Sequence, residues 1–332
     1  MPKILIIAPS WVGDAILAQP LFMRLHQRYP GLTLDVLAPA WVAPLFVRMP
    51  QINETLTHPF EHGDLKIMAR YKLAKELQQR HYTQAIVLPN SAKSALVPFL
   101  ARIPLRTGFV GEMRRGLLND ARALDEQALP LMVERFALLA EPAGSPLTRP
   151  LPAPQLAADN AARQATLNKL HLDLAKPVAV FCPGAEYGPA KRWPGAHFAE
   201  LAKKLSPRFQ IWIIGSGKDA PIGAEIGQLS GGACIDLCGK TNLSEAIDLL
   251  SCATQVVSND SGLMHIAAAL DKPMVALYGS SSPKFTPPLS SRAKIVQLDL
   301  PCSPCFERVC PLGHFKCMND LRPDRVLDQI SP

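Results

Sequence analysis

The chain has 332 residues, 48% hydrophobic and 19% charged, a globular balance with length for two cores of ordinary size. No apolar run approaches the ~20 residues that cross a bilayer, which excludes a membrane-spanning helix at the level of sequence. The net charge of +7 calls for an anionic partner: a nucleic acid, a membrane surface or a phosphorylated substrate.

The opening run KILIIAP ends in a turn and lacks a small-residue cleavage site. It reads as a first β-strand rather than an export signal, and the expected location is the cytoplasm. SWVGDAILAQP follows and brings Asp14 into the start of a helix. A carboxylate there either complements the macrodipole as a cap or stands beyond a strand end as a reactive group. The pattern then repeats: helix DAILAQPLFMRLHQRYP, strand LTLDVLAP, helix AWVAPLFVRMP, helix KLAKELQQRHY, strand QAIVLPNS. Short apolar runs alternating with helical periodicity predict βαβ units and a parallel sheet. Next, ARIPLRTGFVGEMRRGLLNDAR sets Arg102, Arg106, Arg114, Arg115 and Arg122 against Glu112 and Asp120. Its glycines and prolines make it a loop, a poor match to a recognition helix or a base-stacking platform, so no nucleic acid is expected. A plain solvated surface is the alternative. The Pro-rich stretch EPAGSPLTRPLPAPQLAA at 141–158 predicts a linker, dividing domains 1–155 and 156–332.

The second half restarts with strand PVAVFCPG and helix PGAHFAELAKKLSP, with Pro194 at the first helical position and Phe198, Leu201, Ala202 and Leu205 on one face. Strand FQIWIIGSG, helix LSEAIDLLSCA, strand QVVSND, helix GLMHIAAAL and strand KPMVALYG complete a second Rossmann-like domain, with a cleft expected between the two. Ligands of open parallel sheets bind beyond the carboxyl ends of strands, where SWVGD, LPNSAKSA, CPGAEYGPAKRWP and SNDSGLMH fall. Lys191 and Arg192 stand just before a helix, a cradle for a diphosphate or a surface pair. In SNDSGLMH, Gly262 permits close backbone approach and Asp260 can accept from sugar hydroxyls. The same segment also reads as a cap followed by a core helix, with Met264 and His265 as packing. GKT at 239–241 is no P-loop, because Cys234 stands where the motif needs glycine. GSGKDAPIG has Ala220 at the third glycine of a dinucleotide fingerprint. Neither an ATPase nor a dehydrogenase is favoured.

Eight cysteines are unevenly spread, and Cys302, Cys305, Cys310 and Cys317 crowd the segment CSPCFERVCPLGHFKC. The spacing C-x2-C-x4-C-x6-C, with His314 inside, suits reduced thiols or a structural metal, with no catalytic metal expected.

Five stretches, KILIIAPSWVGDAILAQPL, VLPNSAKSALVPF, RTGFVGEMRRGLLND, CPGAEYGPAKRWP and SNDSGLMHIAAALDKPMVALYGSSSPKFTPP, stand in this order. Together they resemble glycosyltransferase family 9, the ADP-heptose:lipopolysaccharide heptosyltransferases. The resemblance implies a GT-B fold, α/β, with two Rossmann-like domains whose parallel sheets face a central cleft. The first domain would take the acceptor and the second the sugar nucleotide, with a last helix packing back on the first. It implies inverting transfer from ADP-heptose to the first heptose of the Kdo-lipid A inner core, no cofactor, and peripheral contact with the anionic inner face of the inner membrane. Carried over residue by residue, Asp14 is the general base and Lys191 the donor-phosphate ligand. Asp260, Ser261 and Gly262, with Met264 and His265, form the donor loop, and Asp219 stands near the ribose. Asn90, Ser91 and Lys93, with Arg114 and Arg115, lie on the acceptor side. The cysteine-rich end departs from the family form. Other readings are a GT-B enzyme with a different acceptor, a nucleotide-sugar epimerase, and a non-catalytic sugar-nucleotide or lipopolysaccharide-binding protein.

Overall fold

In the computed structural model, which describes residues 1–60 and 64–330, the run KILII forms strand β1 (Lys3–Ile7), buried on both faces from Ile4 to Ile7. A continuous apolar run is what a strand covered by helices on both sides requires. The chain divides into two compact units, Met1–Pro154 and Gln155–Pro332. Unit 1 adds β2 (Thr33–Pro39), β3 (Glu54–His58), β4 (Gln84–Val87), β5 (Leu105–Phe109) and β6 (Asp120–Arg122). All pairings are parallel, in the order β3-β2-β1-β4-β5-β6.

Unit 2 contains β7 (Val178–Cys182), β8 (Gln210–Ile213), β9 (Cys234–Asp236), β10 (Ala253–Asn259), β11 (Met274–Tyr278) and β12 (Ala293–Gln297). Its sheet is also parallel, in the order β12-β11-β10-β7-β8-β9. Counted from each unit's own first strand, both orders are 3-2-1-4-5-6, the doubly wound arrangement whose direction reverses between strands 1 and 4. Two such units in one chain match the α/β GT-B class expected from the sequence.

The unit 2 core gathers Phe181, Trp193, Phe198, Leu201, Ala202 and Leu205, so the apolar face read on the helix Gly195–Leu205 is the buried one. Pro194 is the residue before that helix, one position earlier than expected; its backbone remains extended there, and the first helical bonds run to its carbonyl. The short helix Pro323–Leu327 buries Val326 in the unit 2 core beside Met318 and Leu321. Its anchor is the Leu321 carbonyl, which accepts the Trp193 indole N–H at 2.7 Å.

Candidate active site

A doubly wound sheet opens a crevice beyond the carboxyl ends of the two strands that flank its point of reversal. In unit 2 these are β7 and β10, and the segments leaving them carry Lys191 and Asp260. Lys191 Nζ lies 2.6 Å from Asp260 Oδ2, with 17% and 5% of the side chains exposed. Ser281, just beyond β11, donates to the same oxygen at 2.5 Å. An ion pair this far from water is costly unless further hydrogen bonds satisfy it, and Ser281 supplies one. Asn259, fully buried at the end of β10, ties the two loops together. Its Nδ2 donates to the Pro183 carbonyl at 2.7 Å and its Oδ1 accepts the Trp193 backbone N–H at 3.1 Å.

Ser261 precedes the helix Gly262–Ala269, which begins at Gly262 with both residues partly exposed. Met264 and His265 are buried below this loop, and the Tyr278 hydroxyl approaches Met264 Sδ at 3.5 Å. His265 Nδ1 has no hydrogen-bond partner among the described residues. Burial pushes the His265 pKa down to about 4, with the Asp260 carboxylate opposing and the Lys191 ammonium assisting, so the ring is neutral at pH 7. Asp219 closes the turn Gly217–Asp219, and its Oδ2 accepts from the Ser216 N–H at 2.9 Å and hydroxyl at 2.7 Å. A Cβ at Gly184 would stand 2.6 Å from that same oxygen, so close approach of Asp219 requires glycine there.

In unit 1 the flanking strands are β1 and β4. Asp14 lies in the first turn of the helix Val12–Leu17, partly exposed, where its charge also complements the helix N-terminus. Beyond β4, Asn90 is exposed while Ser91 and Lys93 are partly exposed at the start of the helix Ala92–Leu100. The basic stretch is less open than its composition suggested. Arg114 is 1% exposed and donates to the carbonyls of Pro89 and Phe109 and to Asn90 Oδ1. Desolvation lowers its pKa from the ordinary arginine value. Arg106 donates to the carbonyls of Leu117 and Ile103, each at 2.7 Å, and Arg122 pairs with Asp120 at 2.8 Å. Arg102 and Arg115 are exposed. Buried carbonyls left by irregular loops need donors, and these arginines provide them.

The cysteines are free thiols. Among the described residues no group of three or more His, Cys, Asp or Glu is arranged to hold a metal ion. Cys317 packs against the core near Gly279, and backbone N–H groups, Phe315 first, hold the Cys310 thiol below its ordinary pKa.

The sequence profile of "Glycosyltransferase family 9 (heptosyltransferase)" matches residues 70–316, more than half of the chain. The chain belongs to glycosyltransferase family 9. Among family 9 relatives, it is 47% identical over 339 residues to lipopolysaccharide heptosyltransferase 2 of Escherichia coli K12, covering 99% of this chain and 97% of that protein. It is 46% identical to lipooligosaccharide heptosyltransferase 2 of Haemophilus influenzae, covering 89% and 88% of the two chains. The structure of E. coli ADP-heptose lps heptosyltransferase II superposes with a TM-score of 0.88 at 46% identity, covering 98% and 97%. The protein is thus a glycosyltransferase.

Within this family 9 chain, four residues of the unit 2 site escaped the reading of the sequence: Asn259, Ser281, Tyr187 and Arg308. Lys191 Nζ lies 5.0 Å from the Tyr187 ring centroid and the Arg308 guanidinium 5.2 Å from it. The Tyr187 hydroxyl donates to the Phe306 carbonyl at 2.6 Å, and the Ala190 N–H to the Arg308 carbonyl at 3.1 Å. The cysteine-rich segment therefore braces the loop that carries Lys191. A polar residue closing an apolar strand, as in VVSND and ALYGSSS, is the signal that points to Asn259 and Ser281; nothing local marks Arg308.

Proposed function

We propose that the protein transfers a heptosyl group from ADP-heptose to the first heptose of the Kdo-lipid A inner core, with inversion at the anomeric carbon. The observation that carries this reading is the Lys191–Asp260–Ser281 group at the reversal point of unit 2, in a chain so close to proteins named for heptosyl transfer.

Unit 2 is the donor side. Lys191 stands beside the diphosphate and stabilises the charge that grows as ADP leaves, while Asp260 holds the ammonium in place. Because Asp260 Oδ2 already accepts from Lys191 and Ser281, Oδ1 is the oxygen that accepts from a heptose hydroxyl. Ser261 and Gly262 allow close approach, Met264 and His265 back the loop from the core, and Asp219 serves the ribose. ADP-heptose is a substrate, not a cofactor.

Unit 1 is the acceptor side. The acceptor hydroxyl oxygen forms a bond to the anomeric carbon as the bond to the diphosphate breaks, and Asp14 takes the hydroxyl proton. Bond breaking runs ahead of bond making in such a step, so the hydroxyl is acidic when the weak base acts. Asn90, Ser91, Lys93 and Arg115 meet the acceptor's phosphates and hydroxyls, and Arg114 shapes their loop. The acceptor is a membrane glycolipid, so the enzyme works in the cytoplasm in peripheral contact with anionic lipid, in keeping with its +7 charge.

The deciding experiment incubates the enzyme with ADP-heptose and defined core acceptors, with mass and anomeric configuration of the product read together. The expected product is the acceptor plus one heptose, inverted at the transferred centre. An unchanged acceptor with isomerised donor would overturn the reading in favour of an epimerase, and bound but unaltered donor in favour of a binding protein.

A further inference from the structure

The helix Ile67–Gln78 in unit 1 has an unusual outward side. Ile67 is 55% exposed, Met68 69% and Tyr71 43%, with Leu65 just ahead at 53%. Single exposed apolar residues are ordinary, whereas a cluster of large ones marks a contact surface. The inward side of the helix is occupied, since Arg70, Ala74 and Leu77 are buried against unit 1. On a helical period, 67, 68, 71, 72 and 75 share the opposite arc. Lys72 and Lys75 are exposed there, and Lys75 Nζ lies 5.5 Å from the Tyr71 ring centroid. Lys66, paired with Asp64 at 2.6 Å, completes the basic rim, and Glu76 is the helix's one acidic residue.

The patch is held out rather than left loose. Arg70 donates to the carbonyls of Leu65 at 2.7 Å, Asp64 at 3.0 Å and Lys93 at 3.1 Å, and its guanidinium stacks 4.1 Å from the Phe60 ring centroid. The same side chain therefore fixes the turn that presents Leu65 and ties it to Lys93, at the start of the helix on the acceptor side.

We propose that this face seats unit 1 on an anionic bilayer: Leu65, Ile67, Met68 and Tyr71 enter the boundary between headgroups and acyl chains, and Lys66, Lys72 and Lys75 meet lipid phosphates. The inference rests on the peripheral membrane contact read above. Charge complementarity selects the occupant. A second copy of the chain would bring an identical lysine rim against this one, while anionic headgroups neutralise it; tyrosine and lysine are also the side chains that suit such a boundary.

The test is co-sedimentation of the full chain with vesicles of phosphatidylcholine alone and of roughly three parts phosphatidylcholine to one part phosphatidylglycerol. The expected result is binding to the anionic vesicles only. Binding falls about tenfold or more in Ile67→Ser/Met68→Ser and by roughly fivefold per lysine in Lys72→Gln/Lys75→Gln. Leu312→Ser, which removes a 62% exposed apolar residue of unit 2, leaves it unchanged. Activity on a soluble acceptor without acyl chains is unaltered in all variants, which shows that they fold. If the parent chain ignores anionic vesicles, the peripheral-contact reading fails and this inference with it. If the parent binds and the two double variants bind equally well, this face is wrong while peripheral contact stands. A change in sedimentation mass without a change in vesicle binding would assign the face to self-association and overturn the proposal.

Discussion

The two units share one strand order yet arrange charge differently beyond the ends of their strands. Around the reversal point of unit 2, charges answer each other: Lys191 pairs with Asp260, Ser281 completes the carboxylate, and Asn259 joins the loops. In unit 1, Arg70, Arg106 and Arg114 donate to backbone carbonyls, while Arg102 and Arg115 are exposed. A small, highly charged ligand favours the first solution, because a closed polar cluster can be matched atom by atom. A large amphipathic one favours the second, where arginines shape loops and contact is shared among scattered polar and apolar groups.

The sharpest way to break this contrast is at the one carboxylate of unit 1 given a chemical role. Asp14→Asn keeps the position and much of the favourable helix-start geometry but cannot accept a proton. The expected outcome is a folded enzyme with normal donor binding and kcat lower by roughly 10²–10⁴-fold; steady-state kinetics with a thermal melt checks both, and near-normal kcat would return Asp14 to a capping role. In unit 2, Lys191→Ala is expected to reduce kcat/KM by about 10²–10³-fold, with the loss following the donor rather than the acceptor. A loss confined to acceptor KM would reverse the assignment of the units.

The buried polar surroundings of unit 2 also set a pH dependence. His265 has its pKa lowered from 6.5 to about 4, so the folded state binds fewer protons than the unfolded state in that interval. The stability held by the neutral ring is complete above about pH 6.5, falls as pH drops toward 4, and levels off below it. The full difference is on the order of 3 kcal/mol. Denaturant melts from pH 7 to 4 should show this slope, and His265→Leu should flatten it. His58 of unit 1, also lowered to about 4 by burial and then by Arg70, contributes a slope of the same sign that His265→Leu leaves in place.

Neighbouring arginines give the smallest contrast. Arg114→Ala should lower stability by about 2 kcal/mol, because buried carbonyls lose their donor, whereas Arg115→Ala should leave the melt unchanged and raise acceptor KM about threefold, the scale of one exposed charge contact. Chemical denaturation beside acceptor titration distinguishes them. Equal behaviour of the two variants would remove the distinction between shaping and contacting residues.

Much of the fold was legible because local patterning agrees with tertiary placement. KILII from Ile4 onward and VAVFC are apolar on both faces and lie in the middle of their sheets, and the apolar face of Gly195–Leu205 meets the core. Strand order was not legible, since pairing across a crossover depends on which helices cover which face. Asp260 and Lys191 could be named as candidates from their places beyond strands. Their direct pairing could not, for 69 residues separate them. The burial of Arg114 was not legible, because a loop rich in glycine and charge looks solvated, while its guanidinium satisfies carbonyls of Pro89 and Phe109. The contribution of Arg308 lies 117 residues beyond Lys191 in sequence, in a segment whose cysteines drew attention to metal chemistry instead.

Asn259 carries a consequence for the thermodynamics of binding. One amide, with both polar ends engaged, fastens the loop after β7 to the loop after β10. The two cannot wander independently, and the entropy of bringing them together is met during folding rather than at each encounter with a ligand. Preorganisation of this kind raises affinity without adding a single contact, and it holds Lys191 and Asp260 together before any ligand arrives.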